Sequence, residues 1–335
     1  MSPRRRAAAS WPAAGAAALA AVLSLTSCGR GADPAPPSAS AAAAVRHAMV
    51  SPPPAPLPVV PLHPAIRPLV APAEPGEGRF SALVQVKGRP VVQSTTVRPD
   101  AQDTQFPVGV VWMKQDALRF DLHPGSQEPG GSWRIPPTVP DQQRTGLVAT
   151  WNGGFKVSNG DAHGGFYLDG TTVGRLRTGA ASEVFHRDGS LTVGVWNRTV
   201  SMRPDVVGVR QCLVPLVADG QVTDEVYRGG TETWGLTDGG NAMVARSGIG
   251  VDRNGDLVYV GGRLLSVQSL ATLLQRAGAV TAMMLDINLS WPSFMSYDAS
   301  RRPHDPVPHN LVNFVRGPYR YYDVSSRDFV AVHAR

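Results

Sequence analysis

Gly248-Ile-Gly-Val251, Arg253-Asn-Gly-Asp256, Leu257-Val-Tyr-Val260, Ser266 through Gly278, and Val280-Thr-Ala-Met-Met-Leu-Asp286 follow one another, and this stretch decides the fold. Asn-Gly between two short apolar runs is the chemistry of a tight hairpin, because both turn positions tolerate positive φ. Val267, Leu270, Leu273, Leu274 and Ala277 then fall at helical spacing, with Ser266 or Ser269 as cap and Gly278 as stop. The run from Val280 to Leu285 has no polar alternation, which predicts a strand buried on both faces that delivers Asp286 at its carboxyl end.

The same punctuation recurs upstream. Val108 to Trp112, Leu147 to Trp151 and Leu191 to Trp196 read as strands, and Arg187-Asp-Gly-Ser190 as a second hairpin turn. Few helical periods appear, and there is no internal repeat at solenoid or propeller spacing. The expected fold is α+β, a twisted mixed or antiparallel sheet with few flanking helices, in one domain over residues 79–335.

The first 78 residues read differently. Arg4, Arg5 and Arg6 precede an Ala/Leu-rich run too short to span a bilayer, and small residues then lead to Cys28. Residues 1–28 are therefore expected to be a lipoprotein signal peptide, with Cys28 lipidated and the protein held on the extracytoplasmic face of the cell membrane. Residues 29–78 are Ala/Pro-rich and without apolar period, as expected of a disordered tether. Lipidation of Cys28 would leave Cys212 without a disulfide partner; set among Leu213, Val214, Leu216 and Val217, it reads as a buried small hydrophobe.

The net charge is +6, of which the three leader arginines supply half. No basic helix or aromatic-interleaved basic run appears, which argues against nucleic acid as a partner. No Gly-x-Ser-x-Gly, His-Glu-x-x-His, Cys-x-x-Cys or Walker motif occurs, and nothing calls for a metal or cofactor. Asp252-Arg-Asn-Gly-Asp256 lacks the alternating acids of a calcium loop and reads as a plain turn. The acids between Asp219 and Glu225 also read as a turn, while His163 is a candidate base in a glycine-flanked loop, stronger than His186, His304 or His309.

Asn152-Gly153-Gly154-Phe155, Gly164-Gly-Phe-Tyr-Leu-Asp-Gly170, Arg246-Ser247-x-Ile249-Gly250, and the helix followed by Gly278-Ala-x-x-Ala282 and Leu285-Asp286 together resemble the phosphodiester glycosidase family. The resemblance covers about residues 105 to 335. That family usually reads Asn-Gly-Gly-Phe-Phe, Arg-Thr-Ala-Ile-Gly and Leu-Asp-Gly-Gly-Gly-Ser. Here Lys156, Ser247-Gly248 and Ile287-Asn288-Leu289 stand at the variable places, while Asp286 and Ser290 are kept. Ser326-Arg-Asp-Phe-Val-Ala331 looks like the ending of a bacterial envelope branch.

The resemblance implies hydrolysis of a sugar 1-phosphodiester. Phosphate is a good leaving group, so acid assistance matters less than a carboxylate at the anomeric centre and a cation on the phosphate. Asp286 is the expected catalytic carboxylate and Arg246 the phosphate ligand. Asn152, Gly153, Gly154, His163, Ser247, Asn288 and Ser290 are the expected contacts to a sugar phosphate or envelope glycan. The competing expectation is a binding module that holds such a glycan without cleaving it.

Overall fold

The structure, a computed structural model, describes residues 59–157 and 163–335. The leader, Cys28 and the tether as far as residue 58 lie outside the described residues. The decisive stretch forms as its sequence dictates. Strands Val244–Val251 and Leu257–Leu265 pair antiparallel across the Asn-Gly turn. There Asp252 Oδ1 accepts from the backbone N–H of Asn254 and Asp256 at 2.8 and 2.9 Å, and Gly255 takes φ +84°. Asp256 is bound to Lys114 Nζ at 3.1 Å, so both acids serve the turn.

The Val267–Arg276 helix is closed at both ends. Ser266 and Ser269 form a reciprocal capping box, and past Ala277 the N–H of Gly278 and of Ala279 return to the carbonyls of Gln275 and Leu274. Gly278, at φ +94°, makes that reversal possible. The helix lays Leu270 and Leu274 on Gly248, where a Cβ would sit 3.0 Å from Leu274 Cδ1 and 2.8 Å from the Met283 carbonyl.

Three sheets result, and every strand pair in them is antiparallel. The first runs Ser81–Val86, Arg89–Val97, Val108–Met113, Leu257–Leu265, Val244–Val251, Thr281–Met284, Pro215–Ala218, Gln221–Val222. The second runs Thr171–Val173, Phe166–Leu168, Val206–Gln211, Ala181–His186, Leu191–Val195. In the third, Val307–Asn310, Phe294–Asp298, Leu147–Asn152, Phe329–Ala334 and Leu118–His123 are neighbours in that order. The chain's last strand is thus an interior one, with Phe329, Val330, Ala331 and Val332 fully buried. Its entry, Arg327-Asp328, is delivered beside Asn152-Gly153. No helix among the described residues is long and apolar enough to cross a membrane.

Residues 59–78 correct the expected tether boundary, because they pack on the first sheet. Val60 and Ile66 are buried in the main core, and the His63 ring lies 4.5 Å from Phe80. The buried Gln93 side chain is satisfied by this segment, accepting from His63 N–H at 2.6 Å and donating to the Pro61 carbonyl at 2.9 Å. Arg276 Nη1 reaches the carbonyls of Arg67 and Pro68. A proline-rich segment that docks by single side chains and carbonyls has no period to read.

Deleting residues 59–78 therefore removes two core side chains and strands the Gln93 amide. The loss is on the order of 3–5 kcal/mol, which lowers the thermal midpoint by roughly 6–15 °C. Calorimetry checks this, and a midpoint unchanged within a degree would show the segment to be passive.

Candidate active site

Asp286 leaves the buried strand Thr281–Met284 one residue beyond Leu285 and is 3% exposed. Ser247 receives the Leu285 N–H and donates its own to the Asp286 carbonyl, so two residues of the leaving chain face one of its neighbour. The Asp286 carboxylate is held at both oxygens. Oδ1 accepts from Asn288 N–H at 2.8 Å, and Oδ2 accepts from Arg327 Nη2 at 2.8 Å. Burial pushes its pKa up, and the Arg327 charge with the N–H groups of Asn288 and Ile287 holds it partly down. A buried carboxyl whose pKa is raised by burial and restrained by an ion pair is the kind of group that catalytic sites use.

This pair forms the floor of a cleft of about 670 Å³. Phe155, Ile287 and Trp291 supply apolar wall, His163 one polar side, and Lys156, Glu232 and Asn288 the exposed rim. The His163 ring meets Phe155 edge-on at 5.0 Å, its Nδ1 is buried with no hydrogen-bond partner, and burial lowers its pKa. Burial thus favours the neutral imidazole on this side of the cleft.

Asp286, His163 and Asn288 are the sequence-expected residues that line this cleft. Asn152, Gly153, Gly154 and Ser247 lie beneath it. Asn152 Nδ2 donates to Ser247 Oγ at 3.0 Å and its Oδ1 accepts from Ser293 N–H at 3.0 Å, so the amide braces three chain segments instead of meeting a sugar. The glycines make room for protein, not for ligand. A Cβ on Gly153 would stand 1.9 Å from Asp328 Oδ2, and one on Gly154 3.0 Å from Cys212 Cβ and 3.2 Å from Arg210 Cζ. Ser290 uses its N–H on Asn288 Oδ1 and its carbonyl on Arg320, away from the cleft lining.

Arg246 requires a larger correction. Side chains alternate across a strand, and Ser247 takes the face that meets Asp286, so Arg246 goes to the other. It is buried there, its Nε donating to the Leu265 carbonyl at 2.9 Å and its Nη2 facing that of Ala242 at 3.4 Å. Among the described residues no carboxylate forms a salt bridge with it, and burial pulls its pKa down to about 10. The cleft's arginine is Arg327, whose Nη2 also donates to the Gly154 carbonyl at 2.6 Å.

Beside it, Arg210 is fully buried and pairs with Asp328 through Nε at 2.7 Å, while Nη2 caps the Phe155 carbonyl. Cys212 is the buried small hydrophobe its neighbours imply, with its thiol pushed up to about 12 by burial. Among the described residues no group of three or more His, Cys, Asp or Glu side chains is placed to hold a metal ion.

Sequence reasoning missed Arg327, Phe155, Trp291, Lys156 and Glu232 as cleft residues. Arg327 carried a signal, since it stands in the distinctive Ser326–Ala331 ending.

Comparison with known proteins bears on the same residues. Among curated proteins none matches the chain. Among solved structures the chain is similar to the zebrafish N-acetylglucosamine-1-phosphodiester alpha-N-acetylglucosaminidase catalytic domain, auto-inhibited by its pro-peptide, at 15% identity and a TM-score of 0.47, covering 77% of this chain and 88% of that one. It is also similar to a hypothetical protein from Synechocystis, at 15% identity and a TM-score of 0.40, covering 74% of this chain and 63% of that one. Residues 145–286 match the family model described as phosphodiester glycosidase, a span that opens just before the Leu147–Asn152 strand, takes in the Asn152–Phe155 loop, and ends on Asp286. The resemblance read from the sequence therefore holds, and over that span the chain carries a phosphodiester glycosidase-like domain.

Proposed function

We propose that this protein hydrolyses a sugar 1-phosphodiester in the cell envelope, with Asp286 as the catalytic carboxylate. The observation that carries the reading is a single buried carboxylate, ion-paired to Arg327, at the floor of an aromatic-walled cleft. Asp286 activates water or stabilises the oxocarbenium-like centre, and Arg327 is a positioning residue that keeps it ionised. Lys156 on the rim, with the outer part of Arg327, receives the phosphate in place of Arg246. His163 lines the side of the cleft where the sugar would lie.

The binding-module reading draws on one observation. Among the described residues the other acid lining the cleft, Glu232, is exposed on the rim, so none of them is a second buried carboxyl to assist the leaving group. A phosphate leaving group needs little such help, which favours hydrolysis. The lipobox at Cys28 supports export and lipid anchoring, an address at which envelope glycans would be within reach.

Asp286→Asn removes charge and almost no volume. It is expected to lower kcat on a chromogenic N-acetylglucosaminyl phosphodiester by roughly 10³-fold or more with KM within about threefold. Wild-type turnover at background, with binding retained, would establish the binding module instead.

The pH profile tests Arg327. Its charge favours the ionised carboxyl, so in Arg327→Gln the Asp286 pKa rises and a higher pH is needed to ionise it. The acid limb of kcat/KM should move to higher pH, while an unmoved limb with uniformly lower activity would reduce Arg327 to scaffolding.

Cys28→Ser should shift the full chain from the membrane to the soluble fraction. Unchanged fractionation and mobility would remove the anchor from this account.

A further inference from the structure

One aromatic residue of the cleft, Trp291, gathers more positive charge than a single phosphodiester uses. Trp291 lines the cleft, and three guanidinium groups surround its indole: Arg316 Cζ at 4.6 Å, Arg327 at 4.9 Å and Arg320 at 5.2 Å from the ring centroid. Arg320 also lies 4.9 Å from the Tyr321 ring and donates Nη1 to the Trp291 carbonyl at 3.1 Å, which fixes it in place. Arg327 is neutralised by Asp286. Arg316 and Arg320 form no salt bridge among the described residues, whereas Arg98, Arg119, Arg144 and Arg302 each hold a carboxylate at 3.3 Å or closer.

Like charges crowded on one ring are tolerated because the indole face attracts each cation, but their field is left uncompensated. Of the three, Arg327 lines the cleft floor, Arg320 is half buried and Arg316 is exposed. An anion bound on Arg327 would therefore meet two further cations if it continued as a chain.

We infer that the substrate is a polymeric phosphoglycan, an envelope glycan with repeating phosphodiesters, whose phosphate next to the one being cleaved rests on Arg316 and Arg320. The inference rests on the hydrolase reading above and narrows its substrate to a polyanion. A lipid surface is the competing occupant, since Leu289 and Val315 are half exposed close by.

The test uses two probes on the full chain: the methyl phosphodiester of N-acetylglucosamine 1-phosphate, and a tetramer of N-acetylglucosamine 1-phosphate units joined from the anomeric oxygen of one to the primary hydroxyl of the next. Affinities are measured calorimetrically at low salt in the Asp286→Asn background, so that neither probe is consumed. The tetramer should bind about tenfold more tightly than the monomer, and R316E should bring the two within about threefold while moving the monomer by less than twofold.

Arg316 is exposed and its side chain makes no hydrogen bond among the described residues, so R316E is the variant expected to fold. R316K, which keeps the charge, should restore the preference. A tetramer preference that survives R316E overturns the inference, as does equal loss of both probes. Loss of sedimentation with phosphatidylglycerol vesicles at an unchanged tetramer preference would assign these arginines to the membrane. A monomer that is bound and, in the wild type, hydrolysed without any tetramer preference overturns the polymer alone. Failure of both probes to bind overturns the hydrolase reading as well.

Discussion

Two adjacent residues, Arg327 and Asp328, hold this site together by facing opposite partners. Arg327 takes Asp286 and the Gly154 carbonyl, and Asp328 takes Arg210. All four charged side chains are buried, so each pair must repay a large desolvation penalty, and removing one partner costs on the order of 3–5 kcal/mol. The balance extends to Glu183, fully buried alongside, whose carboxyl is pushed up to about 8 by burial despite the Trp151 N–H at 3.2 Å. At neutral pH it is mostly protonated, leaving two cations against two anions. The last strand is therefore an electrostatic keystone as well as a packing element, and its interior position in the third sheet follows from both.

The Asn152–Phe155 loop is shaped by this cluster. Gly153 gives its N–H to the Asp328 carbonyl at 2.9 Å and has the Asp328 carboxylate where its Cβ would be, while Gly154 rests on Arg210 and Cys212. The glycines thus let this loop lie directly on a buried ion pair, and the loop's carbonyls at Gly154 and Phe155 then serve as acceptors for the two arginines. The Ile287-Asn288-Leu289 departure is tolerated for a related reason. No residue from Asp286 to Ser290 has positive φ, so side chains fit there, and two successive Asx turns fix the segment, Asp286 Oδ1 accepting from Asn288 N–H and Asn288 Oδ1 from Ser290 N–H.

Local chemistry explains what the sequence made legible. The Asn-Gly hairpin, the Ser266 cap, the Gly278 stop and the buried strand ending in Asp286 are each specified within a dozen residues, and each stands where its residues put it. The docking of residues 59–78 is written in carbonyls and isolated side chains, which leave no period. Arg246 and Arg327 show the harder limit. Arg246 sits in the family pattern and one residue from Ser247, but strand alternation turns it away. Arg327 lies 41 residues from its partner Asp286 and comes to it through the register of the Phe329–Ala334 strand. The register of an antiparallel sheet is set by long-range packing, so the cation that matters could be found only from the ending's distinctive composition.

The make-up of the cleft also argues about its chemistry. An ordinary glycosidase needs two carboxyls at a defined separation, because an alkoxide leaving group must be protonated as it departs. Among the described residues this cleft has one buried carboxylate and one acid loose on the rim, but a cation on its floor, a lysine on its rim and, around the Trp291 ring, two arginines without a salt bridge. That ratio is poorly suited to an alkoxide and well suited to a phosphate. A phosphate leaves without a proton, and its charge, together with that of any neighbouring phosphate, is what the surplus of cations would stabilise. Among the described residues cations thus stand in place of a second acid, and that is the feature the proposed phosphodiester chemistry would draw on beside the buried Arg327–Asp286 pair.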